Sequence, residues 1–223
     1  MKPYIICHMM ASVDGRIDCA MTSKIKGVDE YYKTLDALHA PTTVSGRVTA
    51  TLEMAEPGFY VAKDNTPVGK PSFHKAIEAK GYTIIVDNQG RLQFKNSALD
   101  GLPLLLIVSE QAPKEYLSYL ETLGISWIAC GKTRTDLAHA SEILNAEFGV
   151  ERMAIVGGPH INGAFLAAGL IDEVSILMGP AIDGREGMPG VFDGLPADAE
   201  PIQLNLKSVE QYPDGAVWMR YTL

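Results

Sequence analysis

Several large classes of protein are excluded by what the chain lacks. Its 223 residues include only three cysteines, Cys7, Cys19 and Cys130, odd in number and widely spaced. No disulfide framework is expected from them, and a reducing cytoplasm fits. Positive charge is also short: 19 Lys and Arg stand against 27 Asp and Glu, for a net charge of −8. That balance excludes the basic stripe of a nucleic-acid-binding surface. No apolar run reaches membrane-spanning length, since the longest, around Leu102 to Val108, is strand-sized. The N-terminal MKPYIICHMM has no apparent cleavage site and reads as a first strand rather than a signal peptide.

Familiar catalytic signatures are missing as well. There is no H-x-E with P-C-x-x-C, and His8, His39, His74, His139 and His160 show no paired metal spacing. A G-x-S-x-G nucleophile elbow is absent. SWIACGKT, Ser126 to Thr133, imitates a phosphate loop, but Ser126 replaces its first glycine and the residues after it have strand character.

What is present is an alternation of strands and helices. With 47% hydrophobic and 21% charged residues, the composition predicts a soluble globular chain, and residues 1–223 are expected to form a single domain. Tyr4 to Ala11, Thr42 to Ser45, Tyr82 to Val86, Leu104 to Val108, Ile125 to Ala129, Met153 to Val156 and Val174 to Ile182 read as strands. Helices are predicted over Val28 to His39, Pro71 to Lys80, Pro113 to Thr122 and Asp136 to Phe148. Glu56 to Lys70 is a loop rich in Gly and Pro, as is Gly184 to Glu200. Ile202 to Glu210 and Ala216 to Leu223, joined by YPDG, form a closing hairpin. The fold expected is α/β, with a mostly parallel mixed sheet flanked by helices and a C-terminal antiparallel hairpin.

Three segments carry chemistry. After Met153 to Val156, Gly157-Gly158 break the strand, and Ile161, Ala164, Phe165 and Ala168 recur at helical spacing. A helix start behind a glycine pair offers unpaired N–H groups and a positive dipole end to a phosphate. The spacing is not G-x-G-x-x-G, although Asp183 follows the next strand where a ribose-binding acid would stand. Taken alone, the glycine pair reads equally well as a tight turn without a ligand. Ser12 to Arg16 (SVDGR) closes the first strand with a hydroxyl, an acid and a glycine. The strand Thr42 to Ser45 runs into Gly46 and then a short helix holding Arg47, Thr49 and Glu53, the last two on one face. Strand ends are where open α/β sheets bind ligands.

In order and spacing these pieces resemble the reductase domain of the riboflavin-pathway deaminase–reductases, within the dihydrofolate-reductase-like fold. The matching motifs are S-V-D-G-R at Ser12 to Arg16, G-R-x-T at Gly46 to Thr49 and V-G-G-P-x-x-N-G-x-x-L at Val156 to Leu166. G-L-I-D-E at Gly169 to Glu173, Gly179-Pro180 and P-G-V-F-D-G at Pro189 to Gly194 continue the match. The deaminase half has no counterpart, so the chain resembles a stand-alone reductase. The resemblance implies hydride transfer from NADPH to a small substrate, a ribosylamino-pyrimidinedione phosphate or a close relative. It implies cofactor contacts at Gly157, Gly158, Pro159, His160 and Ile161, and at Gly46, Arg47 and Thr49, with Ser109 near the adenosine. Ser12, Asp14 and Glu53 would face the substrate, with Glu53 the catalytic residue whose carboxyl polarises the reacting group or donates a proton as the hydride arrives. Lys132 and Arg134 are candidates for the 2′-phosphate. A homodimer is expected from the fold class, with no nucleic-acid or membrane partner and no metal.

Two departures touch the substrate side. Val156 stands where the bifunctional enzymes usually place glutamate, and Ala40-Pro41-Thr42 replaces their Asp-Ala-Ile. The remaining alternatives are an NADPH-dependent reductase of an unrelated carbonyl or imine, and a non-catalytic nucleotide-binding protein.

Overall fold

The structure, a computed structural model, describes residues 1–223. In chain order its elements are β1 (Tyr4–Ala11), α1 (Cys19–Thr22), α2 (Val28–Ala37), β2 (Thr42–Gly46), α3 (Arg47–Glu53), β3 (Ser72–His74), β4 (Thr83–Val86), β5 (Ala98–Leu99) and β6 (Leu102–Val108). They continue with α4 (Lys114–Thr122), β7 (Ser126–Ala129), α5 (Leu137–Phe148), β8 (Arg152–Gly157), α6 (Pro159–Ala167), β9 (Glu173–Met178), β10 (Asn205–Gln211) and β11 (Val217–Thr222). These elements fall into two compact units, one of Met1–Pro3 with Pro41–Glu151 and one of Tyr4–Ala40 with Arg152–Leu223.

In the unit built on 41–151, β2, β4, β6 and β7 pair in parallel. Their apolar runs suit strands covered on both faces. Leu106, Ile85, Tyr116, Leu120 and Trp127 are buried together as its core. α3 packs on β2 and β4, while α4 and α5 pack on β7. The helix expected over Pro71 to Lys80 is not there. Ser72–His74 forms β3, antiparallel to β7, and 75–80 has no regular structure. Phe73 and Ile77, the supposed apolar stripe, are both exposed. The segment instead pairs along the edge of β7, where the ring of Phe73 meets Phe148 and Ser126 Oγ accepts from the Ala76 amide at 3.1 Å.

In the other unit, β1 lies between β8 and β9, parallel to both. β11 pairs antiparallel with β9, and β10 with β11, as the expected hairpin. α2 covers one face, closing a core of Ile6, Met10, Leu38, Leu177, Ala216 and Trp218. A fully buried polar chain crosses this core. Trp218 Nε1 donates to Ser175 Oγ at 2.7 Å, and Ser175 Oγ lies 2.9 Å from His8 Nδ1. His8 Nε2 lies 3.3 Å from Thr34 Oγ1 and from the Tyr31 carbonyl, to which Thr34 Oγ1 donates at 2.9 Å. Burial pushes the His8 imidazole down to about 4, against the smaller opposing effect of its hydrogen bonds to the Tyr31 carbonyl and Ser175.

The α6 stripe differs from the periodic reading. Ile161 and Phe165 are buried, but Ala164 and Ala168 are exposed and Asn162 and Gly163 are buried instead. β9 stops at Met178 rather than reaching Ile182. No helix of the chain is long and apolar enough to cross a membrane.

Candidate functional site

The second unit carries the glycine turn. β8 delivers the chain to Gly157 and Gly158, joined by a cis peptide. Gly158 is the N-cap of α6 and, having no side chain, leaves the first turn uncapped. Pro159 takes the first helical position, where its missing N–H costs nothing. The N–H groups of His160 and Ile161 find no acceptor in the protein, and the first backbone bond of the helix is Asn162 N to Gly158 O at 3.1 Å. No acidic side chain occupies this turn. Two unpaired amides at the positive end of a nine-residue helix, behind a residue without a side chain, fit a phosphorylated cofactor.

A loop is stitched against that helix start. Asn162 Nδ2 donates to Val191 O at 2.7 Å, and Asp193 N donates to Pro159 O at 3.2 Å. Gly163 is required for the approach, because a Cβ there would sit 1.9 Å from the Asp193 carbonyl oxygen. Asn162 Oδ1 is buried without a partner.

The same loop is tied to the turn after β1. Arg16 Nη1 donates to Met188 O, Ile17 N to Pro189 O at 3.3 Å, and Arg16 bridges to Gly190. Within the turn, Ser12 Oγ donates to Asp14 Oδ1 at 2.6 Å and accepts from Arg16 N at 3.1 Å. Asp14 also accepts from the amides of Asp183 and Gly184, both at 2.9 Å. The Ser12 hydroxyl, followed by these two amides, holds the exposed Asp14 carboxyl well below the usual carboxylate range. Ser12 and Asp14 are thus in direct contact and brace the turn from within. Asp183, the possible ribose acid, is ion-paired with Arg185 at 2.5 Å.

The first unit carries the other predicted residues. Gly46 is the N-cap of α3, again without a capping side chain, and Arg47, Thr49 and Glu53 follow on this helix. The Arg47 guanidinium lies 5.8 Å over the Phe59 ring. Thr49 is half-buried, and Glu53, the last helical residue, is exposed. Ser109 is fully buried; its Oγ donates to Asn88 O at 2.8 Å and accepts from Gln111 N at 3.3 Å. Lys132 and Arg134 are exposed on the loop after β7, which Asn88 and Gln111 hold through Thr135 N at 2.7 Å and Lys132 O at 2.7 Å.

One feature of this unit was missed in the sequence. A cleft of about 530 Å³ lies at the carboxyl ends of β4 and β6, lined by Phe59, Tyr60, Gln89, Arg91 and Gln111 among others. The signal was available, since Gln89, Arg91 and Gln111 each follow a strand end within a few residues.

Parallel strands flanked by helices and closed by an antiparallel hairpin define the class: an α/β protein with a mostly parallel mixed sheet. The family described as the RibD C-terminal domain matches residues 3–218. A 2,5-diamino-6-ribosylamino-4(3H)-pyrimidinone 5′-phosphate reductase of Methanothermobacter thermautotrophicus is 28% identical over 212 residues, covering 93% of this chain and 92% of the relative. Its counterpart in Archaeoglobus fulgidus is 26% identical over 197 residues, 87% of this chain and 88% of the relative. Among solved structures, a pyrimidine reductase-like protein of Corynebacterium diphtheriae has the same fold, with a TM-score of 0.70 at 20% identity over 99% of this chain and 91% of that one. The chain belongs to the RibD C-terminal domain family, and it is an oxidoreductase.

Proposed function

We propose that this chain is a reductase of riboflavin biosynthesis that converts the opened ribosyl group of a 6-ribosylaminopyrimidine 5′-phosphate to ribityl, with NADPH as reductant. The observation that carries this reading is the near end-to-end agreement, 93% of this chain and 92% of the relative, with a protein named as such a reductase. That relative acts on the diaminopyrimidinone rather than the deaminated pyrimidinedione, and the diaminopyrimidinone is the substrate proposed for this chain.

The opened ribosylamine carries a C=N bond, so reduction adds hydride to the sugar carbon and a proton to the nitrogen. NADPH supplies the hydride when bound. The other tasks fall to the chain's own residues. The His160 and Ile161 amides hold cofactor phosphate, with Gly157, Gly158 and Pro159 keeping side-chain bulk and competing acceptors away. Gly46, Arg47 and Thr49 hold the cofactor from α3, and Ser109 stands near the adenosine. Lys132 and Arg134 contact the 2′-phosphate. Ser12 and Asp14 take the substrate side through the turn they brace. Glu53 provides the proton to the nitrogen. Residues 1–223 act as one reductase domain, as a homodimer, in the cytoplasm.

Titration with NADPH and NADH, followed by fluorescence and thermal shift, tests the cofactor. A preference for NADPH is expected, and flat traces with both would overturn the reading. Expression in a strain lacking only this reductase tests the pathway: riboflavin prototrophy is the expected result.

A further inference from the structure

The loop between β9 and β10 has no helix or strand of its own, yet its first part is fastened at two places within the same unit. At the turn after β1, Val13 N donates to Ala181 O at 2.8 Å, Asp14 accepts from the Asp183 and Gly184 amides, and Arg185 Nη2 meets Asp18 Oδ2 at 2.8 Å. Further along, Arg16 Nη1 donates to Met188 O and Ile17 N to Pro189 O. At the start of α6, Asn162 Nδ2 donates to Val191 O, and Asp193 N to Pro159 O. Residues 184–194 are a strap that runs from the turn assigned to substrate to the turn assigned to cofactor phosphate.

The strap is attached to groups that shape those two turns. Arg16 is bonded to Ser12 through both of its backbone groups: its N–H donates to Ser12 Oγ at 3.1 Å, and its carbonyl accepts from Ser12 N at 3.0 Å. Asn162 directly follows His160 and Ile161, and its N–H closes the first turn of α6 on Gly158 O.

Two features leave the docked strap poorly secured. Docking leaves one orphan at each end: Arg16 Nε, a donor, and Asn162 Oδ1, an acceptor, are both buried without a partner in the protein. A buried polar atom in that state forfeits the hydrogen bonds that water gives it, so each offsets part of what the strap's own bonds contribute. Glycines with positive φ bound the strap, Gly184 at 63° and Gly194 at 102°, with Gly187 at 73° between them. Such residues change φ and ψ at little steric cost and serve as hinges.

We propose that strap 184–194 is a two-state gate that makes cofactor and substrate bind cooperatively, with Arg16 and Asn162 as the positioning residues that dock it. This rests on the reductase reading above and adds to it the link between the two ligands. A ligand that binds the docked state better shifts the population towards it, and the second ligand then meets a site already formed. The effect is reciprocal: whichever binds first tightens the other by the same factor.

Calorimetry on the full chain tests this with NADP+, which occupies the cofactor site without reducing substrate, in the absence and presence of the diaminopyrimidinone phosphate. Wild type should bind NADP+ at least fivefold more tightly when the substrate is present. Arg16→Met and Asn162→Ala free opposite ends of the strap, and each should reduce that factor below twofold. A merely structural role for the two side chains leaves the factor unchanged. Hydrogen exchange on the wild type gives a second reading that needs no variant: NADP+ alone must slow the amides of 186–194. A wild-type factor of one, a factor retained in either folded variant, or unchanged exchange in a chain that binds NADP+ overturns the gate and leaves the reductase reading standing. A chain that binds no NADP+ overturns both.

Discussion

The buried chain Trp218–Ser175–His8–Thr34 makes a quantitative prediction about acid. Because Trp218 Nε1 can only donate, the Ser175 hydroxyl hydrogen is free to go to His8 Nδ1, which then accepts; His8 Nε2 carries the proton and donates towards Thr34 Oγ1 and the Tyr31 carbonyl. The neutral ring therefore satisfies every member. A second proton on Nδ1 would face the hydroxyl hydrogen of Ser175 and force it away, with the added charge buried. The folded-state value of about 4 lies below the ordinary 6.5, so between these limits the unfolded chain binds the extra proton. Stability from this group is complete above pH 6.5 and falls as pH drops towards 4, at about 1.4 kcal/mol per unit and about 3 kcal/mol in all. Urea denaturation of wild type and His8→Gln from pH 4 to 7 isolates this contribution, since other groups titrate alike in both. The difference in unfolding free energy should grow by about 3 kcal/mol with rising pH. A difference that stays flat would mean that His8 takes up its proton equally in the folded and unfolded chain.

Three further outcomes follow from other contacts. Gly163→Ala drives a Cβ into the Asp193 carbonyl and should cost about 2 kcal/mol, read by thermal unfolding, with faster proteolysis at 188–194. Glu173→Gln leaves Arg220 and Lys207 without a counter-charge. A loss of about 2–3 kcal/mol is expected from chemical denaturation, at the low end because both cations are partly solvated. Glu53→Gln should lower kcat on the order of 10²-fold with the KM for NADPH unchanged, measured by steady-state kinetics. Unchanged kcat removes Glu53 from the chemistry.

Strands covered on both faces were readable because covering leaves an uninterrupted apolar run, as in Leu102–Val108. The turn at Gly157-Gly158 was readable because only a few residue types suit a strand-to-helix break. Tertiary contact hid the rest. Phe73 and Ile77 have helical spacing, but edge pairing with β7 decides their conformation. Asn162 and Gly163 are buried because a loop some thirty residues later lies on them, which no local period encodes. Ser12 and Asp14 were recognised as a polar pair, yet their bonding to each other and to residues 183–184 depends on a loop distant in sequence.

The reaction proposed for this oxidoreductase is the reduction of a ribosylaminopyrimidine phosphate. Incubating the purified chain with NADPH and either the diaminopyrimidinone or the deaminated pyrimidinedione phosphate, with products resolved by mass, tests it most directly. One NADPH consumed per ribityl product, faster with the diaminopyrimidinone, is the predicted result. No ribityl product from either compound, by a protein that binds NADPH, would contradict it.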